Sequence, residues 1–340
     1  YGLFLLAQLT NTLFTMSSTN WLLAWTSLKL NTLAMLPLIS YPYHPRATEA
    51  TTKYFMIQTT ASTILLLAAT TTAWYTGQWT ISYSAPTFTT VLLTTALTMK
   101  LGTAPLHLWY PEVLQGATMA TALIISTWQK IAPLALLYMT HHTMSTNLLL
   151  TLGLLSIALG GWTGLIHTQI RKLMAYSSIG HMGWLIVALT LKPKLASLTM
   201  LIYLLMTTTT FIAFLHTNTK TLADIGSTWL RAPAHAMLTA LALLSLGGLP
   251  PLTGFAPKWL IIKDLTLTHL TPLAAVLALL SLPALYFYVR LTYFTTLTAA
   301  PTTQTTMLLW RLNPTPPHTT FTTILTALAL PLTAALYQTM

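Results

Sequence analysis

The sequence predicts an all-α polytopic membrane protein of about 11 transmembrane helices, and three observations carry that expectation. Of 340 residues, 54% are hydrophobic and only 6% are charged, against roughly 25% charged in a soluble domain. Such a chain, with a mean hydropathy of +0.66, cannot cover a globular surface with solvated groups. The apolar residues recur in runs of about 20, the length of helix that crosses a hydrocarbon core roughly 30 Å thick. Runs such as "NLLLTLGLLSIALGG" (147–161) lack the strict alternation that a membrane β-barrel needs.

The apolar segments lie near 1–17, 20–40, 54–74, 86–109, 117–139, 147–167, 172–191, 195–216, 235–262, 272–294 and 319–339. Threonine is abundant in all of them, which a membrane helix tolerates because the hydroxyl bonds a carbonyl one turn back. The first segment, "YGLFLLAQLTNTLFTM", has neither the basic start of a secretory signal nor an Arg-rich transit pattern. It also lacks an initiator methionine, so a few residues are expected to precede it, and nothing suggests import from another compartment.

The connections set the topology. Arg46, Lys53, Arg171, Lys172, Lys220, Arg231 and Arg311 fall after even-numbered segments, whereas the opposite connections hold mainly Lys192 and Lys194. By the positive-inside rule the first set faces the cytoplasm, or the matrix in a mitochondrion. The N-terminus then shares that side and the C-terminus lies opposite. The formal charge of +11 is therefore read as membrane topology rather than as a nucleic-acid surface. The absence of cysteine excludes thiolate-held iron–sulfur clusters and disulfides in this chain.

Segments four and nine are interrupted alike. "GTAPLHLWYP" (102–111) and "GLPPLTGFAP" (248–257) both fit G-x-x-P-L-x-x-[WF]-x-P, combining a conformationally free glycine with prolines that remove backbone donors. Each helix is expected to unwind inside the membrane. A displacement of five segments, an odd number, makes the two copies cross in opposite directions. This gives two inverted five-helix units, 1–139 with a broken helix at 86–109 and 140–294 with one at 235–262, followed by a loop and terminal helix over 295–340. Broken helices in corresponding spans of two halves mark an ion pathway, because free backbone groups at membrane depth require water or protein around them. Simple kinking of packed helices is the alternative.

The buried charges favour the pathway. Lys100 precedes the first break, Lys130 lies near the middle of segment 117–139, and Lys258 follows the second break. A lysine at the bilayer centre costs roughly 2.5 to 3.5 kcal/mol on insertion scales, so these three are expected to face a shared interior as a proton relay; the alternative is a side chain that snorkels to the interface. His107, inside the first break, and His181, in "SSIGHMGW", are candidate relays because imidazole titrates near neutrality; a packed, hydrogen-bonded histidine is the alternative for each. Glu112, directly after the first motif, is either a proton acceptor or a helix cap near the surface. Glu49 and Lys53 have the i, i+4 spacing of an exposed ion pair. Asp264, beside Lys263, is a pathway exit or a surface pair. No spacing suggests a metal site, and no phosphate-binding glycine loop occurs.

Taken together, "MKLGTAPLHLWYPEVLQG", "STWQKIAPL", "TQIRKLMAYSSIGHMGW" and "SLGGLPPLTGFAPKW" resemble the subunit 2 family of vertebrate mitochondrial NADH:ubiquinone oxidoreductase, respiratory complex I. That family belongs to the antiporter-like subunits, and the similarity runs nearly end to end. The resemblance implies two inverted five-helix units in a shortened animal form, with Lys100, Lys130 and Lys258 as the functional lysines and His181 in its usual context. It further implies a multi-pass protein of the mitochondrial inner membrane whose partners are other membrane-arm subunits and lipids. NADH, FMN, iron–sulfur clusters and ubiquinone would be held by other subunits, and none by this chain. The family pattern W-x-x-L-E-x-N reads "WTSLKLN" here, with Lys29 in place of a glutamate held to pair with the lysine matched by Lys100. Either the first half-channel is altered, or another carboxylate such as Glu112 substitutes, or the position is a sequence error. A stand-alone cation/proton antiporter and a non-titrating structural subunit are the rival functions.

Overall fold

The computed structural model describes residues 2–41, 43–81, 86–217, 219–226, 228–231 and 233–297, with isolated positions between 323 and 337. The expected span 319–339 and the loop carrying Arg311 fall almost wholly outside these residues. Every regular element among the described residues is a helix, and the chain divides into two compact units, Tyr1–Ser156 and Ile157–Met340.

The first unit opens with α1 (Gly2–Ser17), which packs on α2 (Trp21–Ser40), which in turn packs on α3 (Pro45–Thr76). Pro45 stands at the start of α3, where its missing N–H costs nothing, and Gly77 closes the helix in the left-handed conformation. The helix begins well before the apolar segment at 54, so its first turns carry Glu49 and Lys53. Next come α4 (Thr87–Leu101), α5 (Trp109–Gly116), α6 (Met119–Ser126) and α7 (Trp128–Thr140). Helix α3 packs against both α4 and α5, and α7 against α4, α1 and α2. Gly116 lets α5 lie against α3: an added Cβ would stand 2.5 Å from Ala50 Cβ and 2.6 Å from the Arg46 carbonyl.

The chain passes from the first unit to the second within α8 (Thr146–Ile166). The second unit continues with α9 (Ile170–Leu191), α10 (Pro193–Thr217), the short α11 (Leu222–Gly226) and α12 (Thr228–Arg231), then α13 (Pro233–Gly247), α14 (Phe255–Leu267) and α15 (Thr271–Thr296). Helix α14 packs against α9, α10 and α15, and α13 against α10 and α15. Gly160 allows α8 to meet the α9 backbone, since a Cβ there would lie 2.7 Å from Gly180 N.

Among the described residues, each unit ties its connections with one isolated bridge. Asn20, before α2, pairs with Thr80, after α3; Gln169, before α9, pairs with Thr221, after α10. The same relation between successive helices therefore occurs once in each unit.

Among the described residues, seven helical segments are long and apolar enough to cross a membrane: α2, α3, the α6–α7 pair taken as Met119–Thr140, α8, α9, α10 and α15. The remaining apolar helices are short. α4 and α13 have 15 residues each, about 22 Å of rise against a core of roughly 30 Å, because both end at the expected breaks. Large apolar side chains such as Trp74 (87% exposed) and Ile166 (79% exposed) suit a lipid surround. The threonines behave as a membrane requires: Thr94, Thr98, Thr207 and Thr210 each donate to the carbonyl of the preceding turn.

Candidate functional site

At the first break α4 stops at Leu101 because Gly102 adopts a left-handed conformation, φ 71°. Its amide and that of Thr103 fold back onto Met99 and Thr98. The chain then runs through Pro105 without helical hydrogen bonds until α5 starts. The second break repeats the device. α13 ends at Gly247, Gly248 takes φ 80°, and the amides of Gly248 and Leu249 turn back to Ser245 and Leu244. Both unwound segments lie where the repeated motif predicts.

Beside the first break is a cavity of about 20 Å³, lined by Lys100, Lys130, Trp109, Gln58, Gln129 and Asn31 among others. That volume suits roughly one water molecule. Lys100 is 6% exposed and Lys130 2% exposed, so both ammoniums sit in the interior, from α4 and α7 respectively. The Lys130 ammonium lies over the Tyr110 ring, 4.9 Å from its centroid, a cation–π contact that offsets part of its desolvation. Lys100 Nζ and Trp109 Nε1, both buried, have no hydrogen-bond partner among the described residues. Gln129 donates to Asn31 Oδ1 at 3.4 Å, and the Gln58 amide approaches the freed Lys100 carbonyl at 3.5 Å. Lys29 donates to Ser62 Oγ at 3.4 Å and is close enough to act electrostatically on Lys100.

The second unit holds an equivalent place. A cavity, again about 20 Å³, is lined by Lys258, His181, Tyr288, Ser177, Gly180 and Trp184 among others. Lys258 reaches back across the break and donates to the Gly247 carbonyl at 2.9 Å, satisfying an acceptor that the end of α13 leaves open. His181 Nε2 and the Tyr288 hydroxyl are 3.4 Å apart, and the His181 ring lies 5.7 Å from that of Tyr203.

The predicted residues thus separate by location. Lys100 and Lys130 share one cavity; Lys258 and His181 share the other. His107 is buried inside the first break, with Nδ1 3.2 Å from the Pro105 carbonyl, and lines neither cavity. Glu112 stands outside: Lys53 bridges it at 2.7 Å and Glu49 at 2.5 Å, with 52% and 60% of the carboxylate side chains exposed. It is therefore the surface alternative that the geometry matches, and it does not replace a carboxylate beside Lys100. Asp264 pairs with Lys192 at 3.1 Å rather than with its neighbour Lys263. That hydrogen bond holds the Lys192 ammonium above the ordinary lysine range. Asp224 accepts from the amides of Lys220 and Thr221, so none of the four carboxylates lines either cavity.

Gln58, Gln129, Trp109 and Tyr288 join the lining without having stood out in the sequence, and only the two glutamines carried a signal there. The available signal was a long amide inside an apolar run, as in "YFMIQTTAS" and "STWQKIAP".

The chain matches the family model described as NADH:quinone oxidoreductase/Mrp antiporter, TM, over residues 18–282. A second model, NADH dehydrogenase subunit 2 C-terminus, matches over 285–337. The NADH-ubiquinone oxidoreductase chain 2 of Tetraodon nigroviridis is 50% identical over 304 residues, 89% of this chain and 87% of the relative. Among solved structures, respiratory complex I from Thermus thermophilus contains a chain that superposes with a TM-score of 0.84 at 24% identity, covering 99% of this chain and 76% of that one. The Mrp complex from Dietzia sp. DQ12-45-1b gives 0.80 at 16% identity, covering 88% and 61%. These two share the fold. By sequence, the chain belongs to the NADH:quinone oxidoreductase/Mrp antiporter transmembrane family, within the subunit 2 branch of NADH-ubiquinone oxidoreductase.

Proposed function

We infer that this chain is a proton-translocating, antiporter-like subunit of the membrane arm of respiratory complex I, assembled with other membrane-arm subunits. The observation that carries the reading is the pair of water-sized cavities, each beside a helix break and each lined by lysine, buried in the first and half-buried in the second. An ammonium held in a low-dielectric interior near a water molecule can pass a proton on when a neighbouring charge changes.

In this reading Lys100 and Lys130 exchange a proton within the first unit, and Lys258 exchanges with His181 and Tyr288 in the second. A row joining Lys100, Lys130 and Lys258 is the proposed path. His107 and Glu112 lie off both cavities and are assigned no step. The redox energy comes from NADH and ubiquinone chemistry in other subunits. With no cysteine in the sequence, this chain offers no thiolates for an iron–sulfur cluster, and the reading gives it no redox group.

The finer architecture follows the same lines. Two five-helix units of opposite orientation, 1–139 and 140–294, with a terminal helix give eleven crossings. The bridges Asn20–Thr80 and Gln169–Thr221 support the repeat, since they join equivalent helices in each unit. The chain lies in the mitochondrial inner membrane, with its N-terminus on the matrix side and its C-terminus on the intermembrane-space side, as the distribution of lysine and arginine supports.

The test is the assembled complex carrying Lys130→Met, with protons translocated per NADH oxidised as the readout. The expected result is a large loss of pumping with the complex intact. Normal stoichiometry in that variant would return the lysines to a structural role.

A further inference from the structure

The first cavity has a charge imbalance that its lining does not resolve. Two buried ammoniums, Lys100 and Lys130, line it, and Lys29 acts electrostatically on Lys100 from α2. All four carboxylates of the chain lie elsewhere: Glu49 and Glu112 on Lys53, Asp264 on Lys192, Asp224 on backbone amides. An uncompensated buried charge costs several kcal/mol, which a close counter-charge offsets.

Two of the side chains that line the cavity carry a donor without an acceptor. Lys100 Nζ and Trp109 Nε1 are both buried, both belong to side chains that line the cavity, and neither has a partner among the described residues. Ammonium and indole N–H are donors only. Two unpartnered donors around a space of about 20 Å³ call for an acceptor about the size of a water molecule. The second cavity lacks this pattern, because Lys258 already donates to the Gly247 carbonyl.

We propose that the first cavity is a binding site for a small monovalent anion, chloride in the cell, held between the Lys100 ammonium and the Trp109 indole N–H and further stabilised by the charge of Lys130. The anion supplies the counter-charge that the chain does not. It binds more tightly when the site is protonated, so proton release and anion affinity are linked. The site is that of the proton relay, and the inference rests on that reading for its functional readout.

The experiment uses the assembled complex in proteoliposomes with the membrane potential clamped, in chloride, bromide or gluconate at equal ionic strength. Replacing chloride with gluconate, which is too large for the cavity, is expected to cause a loss of proton translocation per NADH oxidised, and bromide restores it. Trp109→Phe, which keeps an aromatic ring and removes the donor, raises the chloride concentration needed for half-effect. Lys29→Glu places a carboxylate on the neighbouring helix and removes the halide dependence. Anomalous scattering from bromide then marks the cavity in the parent complex and not in Lys29→Glu.

Equal translocation in gluconate and chloride, or halide dependence unaltered in both variants, overturns the anion site. If those results appear while Lys130→Met still abolishes pumping, the relay stands without the anion. If Lys130→Met also pumps normally, the relay reading itself fails.

Discussion

The two helix breaks start alike and are completed differently. Each begins where a glycine turns left-handed, Gly102 at φ 71° and Gly248 at φ 80°, and each leaves carbonyls at the end of a helix with no partner in the next turn. In the second break a lysine one turn into the following helix folds back onto the open carbonyl. In the first the lysine stands before the break, its ammonium unpaired, and the carbonyl there receives only a long contact from Gln58. The same backbone device therefore makes a self-satisfied site in one unit and a charge-deficient one in the other. The glycine and proline motif fixes where a break falls; the side chains around it decide which polar groups are left unpaired.

The sharpest way to break that comparison is at the glycines. A Cβ on Gly254 would overlap the Ser245 carbonyl oxygen and stand 2.9 Å from its carbon, both backbone atoms that cannot swing aside. Gly254→Ala is expected to cost more than about 4 kcal/mol, the exceptional end of single substitutions, and to abolish assembled complex on a native gel. Gly102→Ala meets only the side chains of Tyr110 and Trp109 at 3.2 to 3.3 Å and the left-handed strain of about 1 to 2 kcal/mol. It is expected to assemble and to lose heat resistance.

The lysines give the next effect, and it differs in sign. Lys258→Met strips the Gly247 carbonyl of its donor, a loss of about 1 to 3 kcal/mol for a buried group left unpaired. Lys100→Met removes an ammonium that has no hydrogen bond to lose, so in chloride-free medium stability is expected to hold or rise. The fraction of complex surviving a heat step measures both; a fall of equal size in the two variants would erase the distinction between the breaks.

How much of this was legible in the sequence depends on the kind of signal. Segment 20–40 became α2 at Trp21–Ser40, and 272–294 became α15 at Thr271–Thr296, because a run of apolar residues is as long as the bilayer is thick. α3 was underestimated at 54–74 because hydropathy marks the membrane, whereas helical hydrogen bonding carries on beyond it through Glu49 and Lys53. The breaks were legible because glycine and proline act locally. That Lys100 and Lys130 lie in the interior was expected from the cost of charge in lipid, but the amide and indole lining around them was not, since an uncharged polar residue among many threonines does not stand out. The pairing of Lys192 with Asp264, 72 residues apart, has no local signature at all.

That pair gives the smallest effect. With the ammonium held above its usual range by the Asp264 hydrogen bond, its contribution is complete below the ordinary lysine pKa of about 10.4. It disappears only as pH rises through the elevated value. The heat-resistance difference between the parent complex and Lys192→Met should stay flat from neutrality to about pH 10 and shrink above it. A difference that shrinks near neutrality would show that another group carries the pair.

The threonines have a consequence for conduction. A hydroxyl that already gives its hydrogen to the carbonyl behind it, as at Thr94, Thr98, Thr207 and Thr210, has to break that bond before it can hand the hydrogen to anything else. The helices are thus rich in oxygen yet poor in rotors, and their walls insulate. In the proposed relay, exchange therefore falls to the lysine, imidazole and phenol groups that line the two cavities.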